Sequence, residues 1–101
     1  MKETWQLISL TNLNKKFSPR SCTIVCSLNL TQILIMGGID VQGDANDVFL
    51  FDTESEQLQK VAEGGIAFRS DGNAGVAIGG NRVVAIALID YGSHLIGYTL
   101  G

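Results

Sequence analysis

Short apolar runs rich in Val, Ile, Leu and aromatics recur along the chain, each bounded by Gly, Asn, Asp or Ser, and helix signals are nearly absent. Runs of this length and make-up predict β-strands. They fall at Thr4–Leu10, Ser21–Ser27, Gln32–Met36, Asp47–Phe51, Gln57–Val61, Ala74–Ile78, Arg82–Ile89 and His94–Leu100. Lys60–Phe68 carries Ala, Glu and a Gly pair and reads as a loop. Gly79-Gly80-Asn81-Arg82 reads as a hairpin turn, because such turns need positive φ. Short strands separated by turns at this density imply an all-β architecture.

One strand is informative by itself. Within Arg82–Ile89 the stretch VVAIALI is continuously apolar rather than alternating. Both of its faces are therefore expected to be covered, as in sheets stacked face to face.

The chain also repeats. Ile33–Asp40 (ILIMGGID) overlays Val83–Asp90 (VVAIALID), with apolar positions and the closing Ile-Asp in register. Upstream, Phe17 falls on Phe68; downstream, Val48–Phe51 falls on Leu95–Tyr98. A period of roughly 50 residues carrying four strands per copy is the pattern of a β-propeller, whose blades pack face to face.

Composition narrows the function classes. With 46% apolar and 17% charged residues in 101, the chain is too apolar to be disordered. A net charge of −3, with seven scattered Lys and Arg, supplies no basic stripe for nucleic acid. No apolar run is long enough to span a bilayer, and MKETWQLISL lacks a signal-peptide pattern, so a cytoplasmic protein is expected. Asn29-Leu30-Thr31 fits a glycosylation acceptor but, without a signal peptide, reads as chance. Cys22 and Cys26, four apart on one strand, would lie about 13 Å from each other. A disulfide needs its Cα atoms within about 7 Å. Both read as small buried hydrophobes.

Catalytic signals are thin. His94 is the sole histidine, and no paired acid is placed beside it, so a strand-end or packing role is expected. The acidic stretch Asp40–Asp47 lacks the twelfth-position Glu of a calcium loop, where Phe51 stands. It reads as a solvated turn, with a weak cation site as the alternative. Gly64-Gly65 and Gly79-Gly80 lack the Lys-Ser/Thr of a phosphate loop. No enzyme activity, metal or cofactor is expected.

Gln32–Met36 runs into Gly37-Gly38, the strand Asp47–Phe51 ends in the aromatic Phe51, and after six intervening residues Leu58 stands at an apolar position. Upstream, Pro19-Arg20 leads into the apolar strand Ser21–Ser27, and Asp52-Thr53 opens the turn after Phe51. This arrangement resembles the kelch repeat, in which Leu58 would occupy a position usually held by Trp. In the second copy Ala87-Leu88 stands where the first has Gly37-Gly38, and Tyr98 is its aromatic. Trp5 resembles the Trp of a preceding repeat. The resemblance implies four-stranded antiparallel blades of a kelch-type propeller in an incomplete ring of about two blades. Residues 1–10 would be an outer strand of a preceding or circularly completed blade. Residues 11–61 would form a complete blade, and 62–101 a degenerate one lacking its last strand.

The resemblance further implies a protein-interaction module that recognises a protein partner through loops at one end of the ring. The residues expected there are Arg20, Asp40, Asp44, Arg69 and Tyr91, Tyr being enriched at binding hot spots. Neither nucleic acid nor membrane is an expected partner. An isolated blade pair would leave one face of each blade uncovered, about five apolar side chains apiece, which forfeits roughly 15–30 kcal/mol of burial. Homo-oligomerisation or membership of a larger propeller is therefore expected. The alternatives are a self-assembling structural fragment with no separate ligand, and a non-catalytic fragment of a propeller enzyme.

Overall fold

Turn chemistry accounts for much of the architecture. The computed structural model describes residues 4–70 and 75–101. One helical turn, α1 (Leu10–Leu13), precedes eight strands: β1 (Ile24–Ser27), β2 (Gln32–Met36), β3 (Ile39–Asp40), β4 (Gly43–Asp52), β5 (Gln57–Phe68), β6 (Val76–Gly79), β7 (Arg82–Ile89) and β8 (Gly92–Thr99). The described chain is predominantly β, and every pairing is antiparallel. Among the described residues no helix is long and apolar enough to cross a membrane.

The first sheet is a meander in which β1, β2, β4 and β5 lie side by side, and β3 pairs with the start of β4. Between β2 and β3, Gly37 and Gly38 adopt φ of 62° and 106°. A Cβ on Gly37 would sit 2.6 Å from the Phe68 carbonyl oxygen, and one on Gly38 2.7 Å from Thr23 Cγ2. Only glycine lets the chain pass here, and the amide of Gly38 uses the approach to donate to the Phe68 carbonyl at 2.9 Å.

The second sheet has the order β6-β7-β8. Its first hairpin pairs Gly79 with Arg82 and leaves Gly80 and Asn81 in the loop at φ of 60° and 58°. Its second pairs Ile89 with Gly92 and leaves Asp90 and Tyr91 at 49° and 63°. Two positive φ values in a two-residue loop match the right-handed twist of the flanking strands.

Strand alternation then sorts the side chains into layers. Ile24, Cys26, Leu34, Met36 and Val48 share one face of the first sheet and pack against Val83, Ala85 and Ala87 of β7. On the opposite face Ile35, Phe49, Phe51 and Leu58 are covered by Phe17 and Leu10 from the N-terminal segment. Asn14 holds that cover in place, its side-chain amide donating to the Leu58 carbonyl at 2.9 Å. The order of layers is thus N-terminal cover, first sheet, second sheet.

Several expectations are met and several are corrected. β2 and β7 have the expected bounds, and the Gly80-Asn81 hairpin forms. The strand expected over Thr4–Leu10 is not formed. Residues 4–9 belong to no element, and Ser9 caps α1 by accepting from the Asn12 amide. The loop expected over Lys60–Phe68 is instead the continuation of β5 past Val61. Cys22 precedes β1 in a left-handed conformation (φ 59°), off the strand expected to hold it, whereas Cys26 is buried; both are free thiols. The first residue of the strand expected at Ala74–Ile78 lies outside the described residues. The two-sided burial expected of β7 is met on one face only: Val83, Ala85 and Ala87 are buried, but Ile86 is 52% exposed on the other.

Candidate interaction surface

Where the first sheet hands over to the second, Arg69 forms an isolated bridge with Leu88 of β7, whose amide donates to the Arg69 carbonyl at 2.9 Å. That bond fixes the backbone from which the Arg69 side chain projects. Its Nε lies 3.7 Å from Oδ1 of Asp44, at the start of β4, and each side chain is about one-third exposed. The β7–β8 turn brings Asp90 and Tyr91 to the same place. Asp44, Arg69, Leu88, Asp90 and Tyr91 together line a concavity of about 210 Å³.

The surface combines charged, apolar and aromatic groups. One cation stands among two carboxylates, Leu88 adds an apolar patch, and the Tyr91 side chain is fully exposed. The left-handed φ of Tyr91 is unfavourable for a bulky residue, so the turn carries strain to present that ring. The volume is below the roughly 300–1,000 Å³ of pockets that enclose a small molecule. It has room for about one side chain.

Three of the five residues expected at a partner surface, Asp44, Arg69 and Tyr91, therefore meet there. The other two stand apart in a structural network. Arg20 has a side chain only 2% exposed and is ion-paired to Asp47. Its Nη2 also donates to Ser18 Oγ at 3.0 Å, and Ser18 in turn donates to Asp40 Oδ2 at 2.6 Å. The Ser18 hydroxyl, followed by the Gln42 amide, holds the Asp40 carboxyl below its usual range. The sequence singles out neither Leu88, which lies inside an apolar run, nor Asp90, which lies in the same loop as Tyr91.

The repeat residues are placed as follows. Phe51 and Leu58 pair directly across β4 and β5 and are buried, Gly37 and Gly38 sit at the β2–β3 junction, and half-buried Tyr98 pairs with Val83. Trp5 is 92% exposed on the segment before α1.

Elsewhere the carboxylates of the acidic stretch do not converge. Asp40, Asp44 and Asp47 each hold a different partner, and among the described residues no three His, Cys, Asp or Glu side chains are grouped to bind a metal. His94 is exposed on β8, with Nδ1 3.1 Å from the Gly92 carbonyl. A depression of about 560 Å³ lies between α1 and β5 and is lined by Asn14, Lys16, Glu56 and Lys60 among others; it groups no nucleophile with a base. Compared with known proteins, the chain matches no family model and no curated protein.

Proposed function

We propose that the chain is a non-catalytic protein-interaction module, built of propeller-type blades similar to the kelch repeat, that holds a protein partner at the Asp44–Arg69–Tyr91 concavity. The observation that carries this reading is the convergence of three separate stretches of sequence on one surface. Asp44 comes from β4, Arg69 from the link after β5, and Asp90-Tyr91 from the β7–β8 turn. The four-strand meander of the first sheet, and the glycine pair at the end of its second strand, support the blade reading. In this reading the partner segment offers a basic side chain to Asp44 and Asp90 and an apolar one to Leu88 and Tyr91. Charge complementarity sets its register, and the aromatic ring anchors it.

A photo-reactive aromatic residue placed at position 91 tests the proposal in living cells. Leu30, equally exposed on the β1–β2 connection, is the control position. A discrete crosslinked product is expected from position 91, absent from position 30 and lost on Arg69→Glu. The same products from both positions would overturn the reading.

A further inference from the structure

Between the first sheet and β8 lies a cleft of about 290 Å³ that shares no lining residue with the concavity at Tyr91. An irregularity in the strand pairing opens it. β5 pairs with β4 at Glu63–Asp47 and again at Phe68–Ala45, so residues 64–67 of β5 stand opposite Asn46 alone. The surplus makes β5 arch away from its neighbour, and Gly64 and Gly65 supply the arch with φ of 98° and 78°. Bulges of this kind re-aim side chains and are over-represented beside active sites.

The walls follow from that arch. Met36, Val48 and Phe68 are buried and close the cleft on its inner side. Gly64, Gly65 and Ile66 form one wall, and Ile96 and Tyr98 of β8 form the other. The rings of Phe68 and Tyr98 and the Met36 thioether border the same space, and all three groups favour an aromatic neighbour. Two polar side chains, Asn46 and Tyr98, also line the cleft, both half-buried. Among the described residues neither side chain has a hydrogen-bond partner, so both remain available to a ligand.

Charge and volume narrow the occupant. No Lys, Arg, His, Asp or Glu contributes to the described lining. Burial raises the Tyr98 hydroxyl above its ordinary range and keeps it protonated. An ion entering the cleft would lose water and gain no counter-charge. An apolar cavity of about 150 Å³ takes up benzene, so about twice that volume fits two fused rings. The cleft thus stands at the foot of the range of small-molecule pockets, roughly 300–1,000 Å³. A peptide brings an amide and a carbonyl with every residue, and two free side chains satisfy few of them.

We propose that the cleft binds a neutral bicyclic aromatic molecule carrying one hydroxyl or carbonyl group. Its rings lie between the arch of β5 and β8, and its polar group bonds to Asn46 and Tyr98.

2-Naphthol is the probe, added to the full chain. Its fluorescence reports the site directly, because the excited hydroxyl loses its proton in water and keeps it in a dry cleft. Titration is expected to show saturable binding with a Kd on the order of 100 μM. 2-Naphthoate, the same ring pair with a carboxylate, should bind at least about tenfold more weakly. Ala62→Phe adds a ring at a half-buried position of the lining and should abolish binding, with thermal melting checking that the fold survives. Tyr98→Phe should weaken 2-naphthol by about 3–10-fold and leave naphthalene unaffected, a difference that loss of packing would not produce. If Ala62→Phe does not fold, the Tyr98→Phe comparison decides alone. Four outcomes would each overturn the proposal: no saturable binding, 2-naphthoate as tight as 2-naphthol, undiminished binding to folded Ala62→Phe, or equal effects of Tyr98→Phe on both neutral ligands.

Discussion

Arg20 and Asp47 form a two-pronged ion pair inside the protein, with Nη1 and Nη2 of the arginine 2.5 and 3.2 Å from the two carboxylate oxygens. The same guanidinium lies 4.5 Å from the ring centroid of Phe17 and 5.7 Å from that of Phe49, and it donates to the Gly37 carbonyl. One side chain thus ties the N-terminal cover to β4 and to the glycine junction. Removing one member of such a pair leaves a buried charge uncompensated, at a cost of about 3–5 kcal/mol. Asp47→Ala and Arg20→Ala are each expected to lose that much in urea unfolding. The double variant Arg20→Met, Asp47→Leu should lose clearly less than the sum of the two. Additive losses would show that the charges do not act as a pair.

At Gly37, alanine brings both an unfavourable φ and a Cβ 2.6 Å from backbone. A left-handed residue costs roughly 1–2 kcal/mol, and overpacking adds about 1–3 kcal/mol. Gly43→Ala, with positive φ but open space around it, isolates the first effect. Thermal melts should therefore rank Gly37→Ala well below Gly43→Ala. Equal melting temperatures would remove the steric account of the junction.

Tyr91 presents the opposite case, in which the native residue is the strained one. Tyr91→Gly relieves a left-handed tyrosine at a fully exposed position and is expected to raise stability by about 0.5–1 kcal/mol. The same change removes the proposed anchor, so binding should fall as stability rises. A variant that loses stability would mean that the ring packs within the fold.

These contrasts bear on what a linear reading can see. β2 and β7 were legible because each is an unbroken apolar run ended by turn residues, and Gly80-Asn81 was legible because only such residues fill that turn. β5 was not. It is an outer strand with Glu63–Ala67 exposed, so burial imposes no apolar pattern, and its register with β4 shifts twice, once on either side of Asp47–Val48. The segment Thr4–Leu10 erred the other way, since apolar content predicts a strand whether or not an edge is at hand to pair with it. In the candidate surface, Asp44, Arg69 and Tyr91 were individually visible as loop residues. Their convergence depends on the Arg69–Leu88 bridge, which no local pattern encodes. Arg20 looked like a surface cation because its carboxylate stands 27 residues away in the chain.

Burial raises the Cys26 thiol above its ordinary range, although a backbone hydrogen bond at Ala77 pulls the other way. The reactive species is the thiolate. A thiol reagent at neutral pH should label partly exposed Cys22 readily, and Cys26 only at the rate of unfolding. Two fast equivalents in the native protein would contradict the buried placement of Cys26.

Asp40 contributes to the acid side of the stability profile. Its folded carboxyl is held down by Ser18 and the Gln42 amide. A lowered folded value contributes stability above the ordinary carboxylate pKa, and that stability is lost as pH falls through the folded value. Ser18→Ala and Asp40→Asn should each flatten the dependence of the urea midpoint on acid pH. An unchanged slope in both variants would show that this carboxylate is uncoupled from folding.

The layers follow one another in the order in which the chain is synthesised. Phe17, Phe49 and the Arg20–Asp47 closure all belong to residues made before the second sheet exists. On the ribosome, β6, β7 and β8 can therefore settle onto an apolar wall that is already assembled. The direction of synthesis and the stacking of the layers thus run the same way.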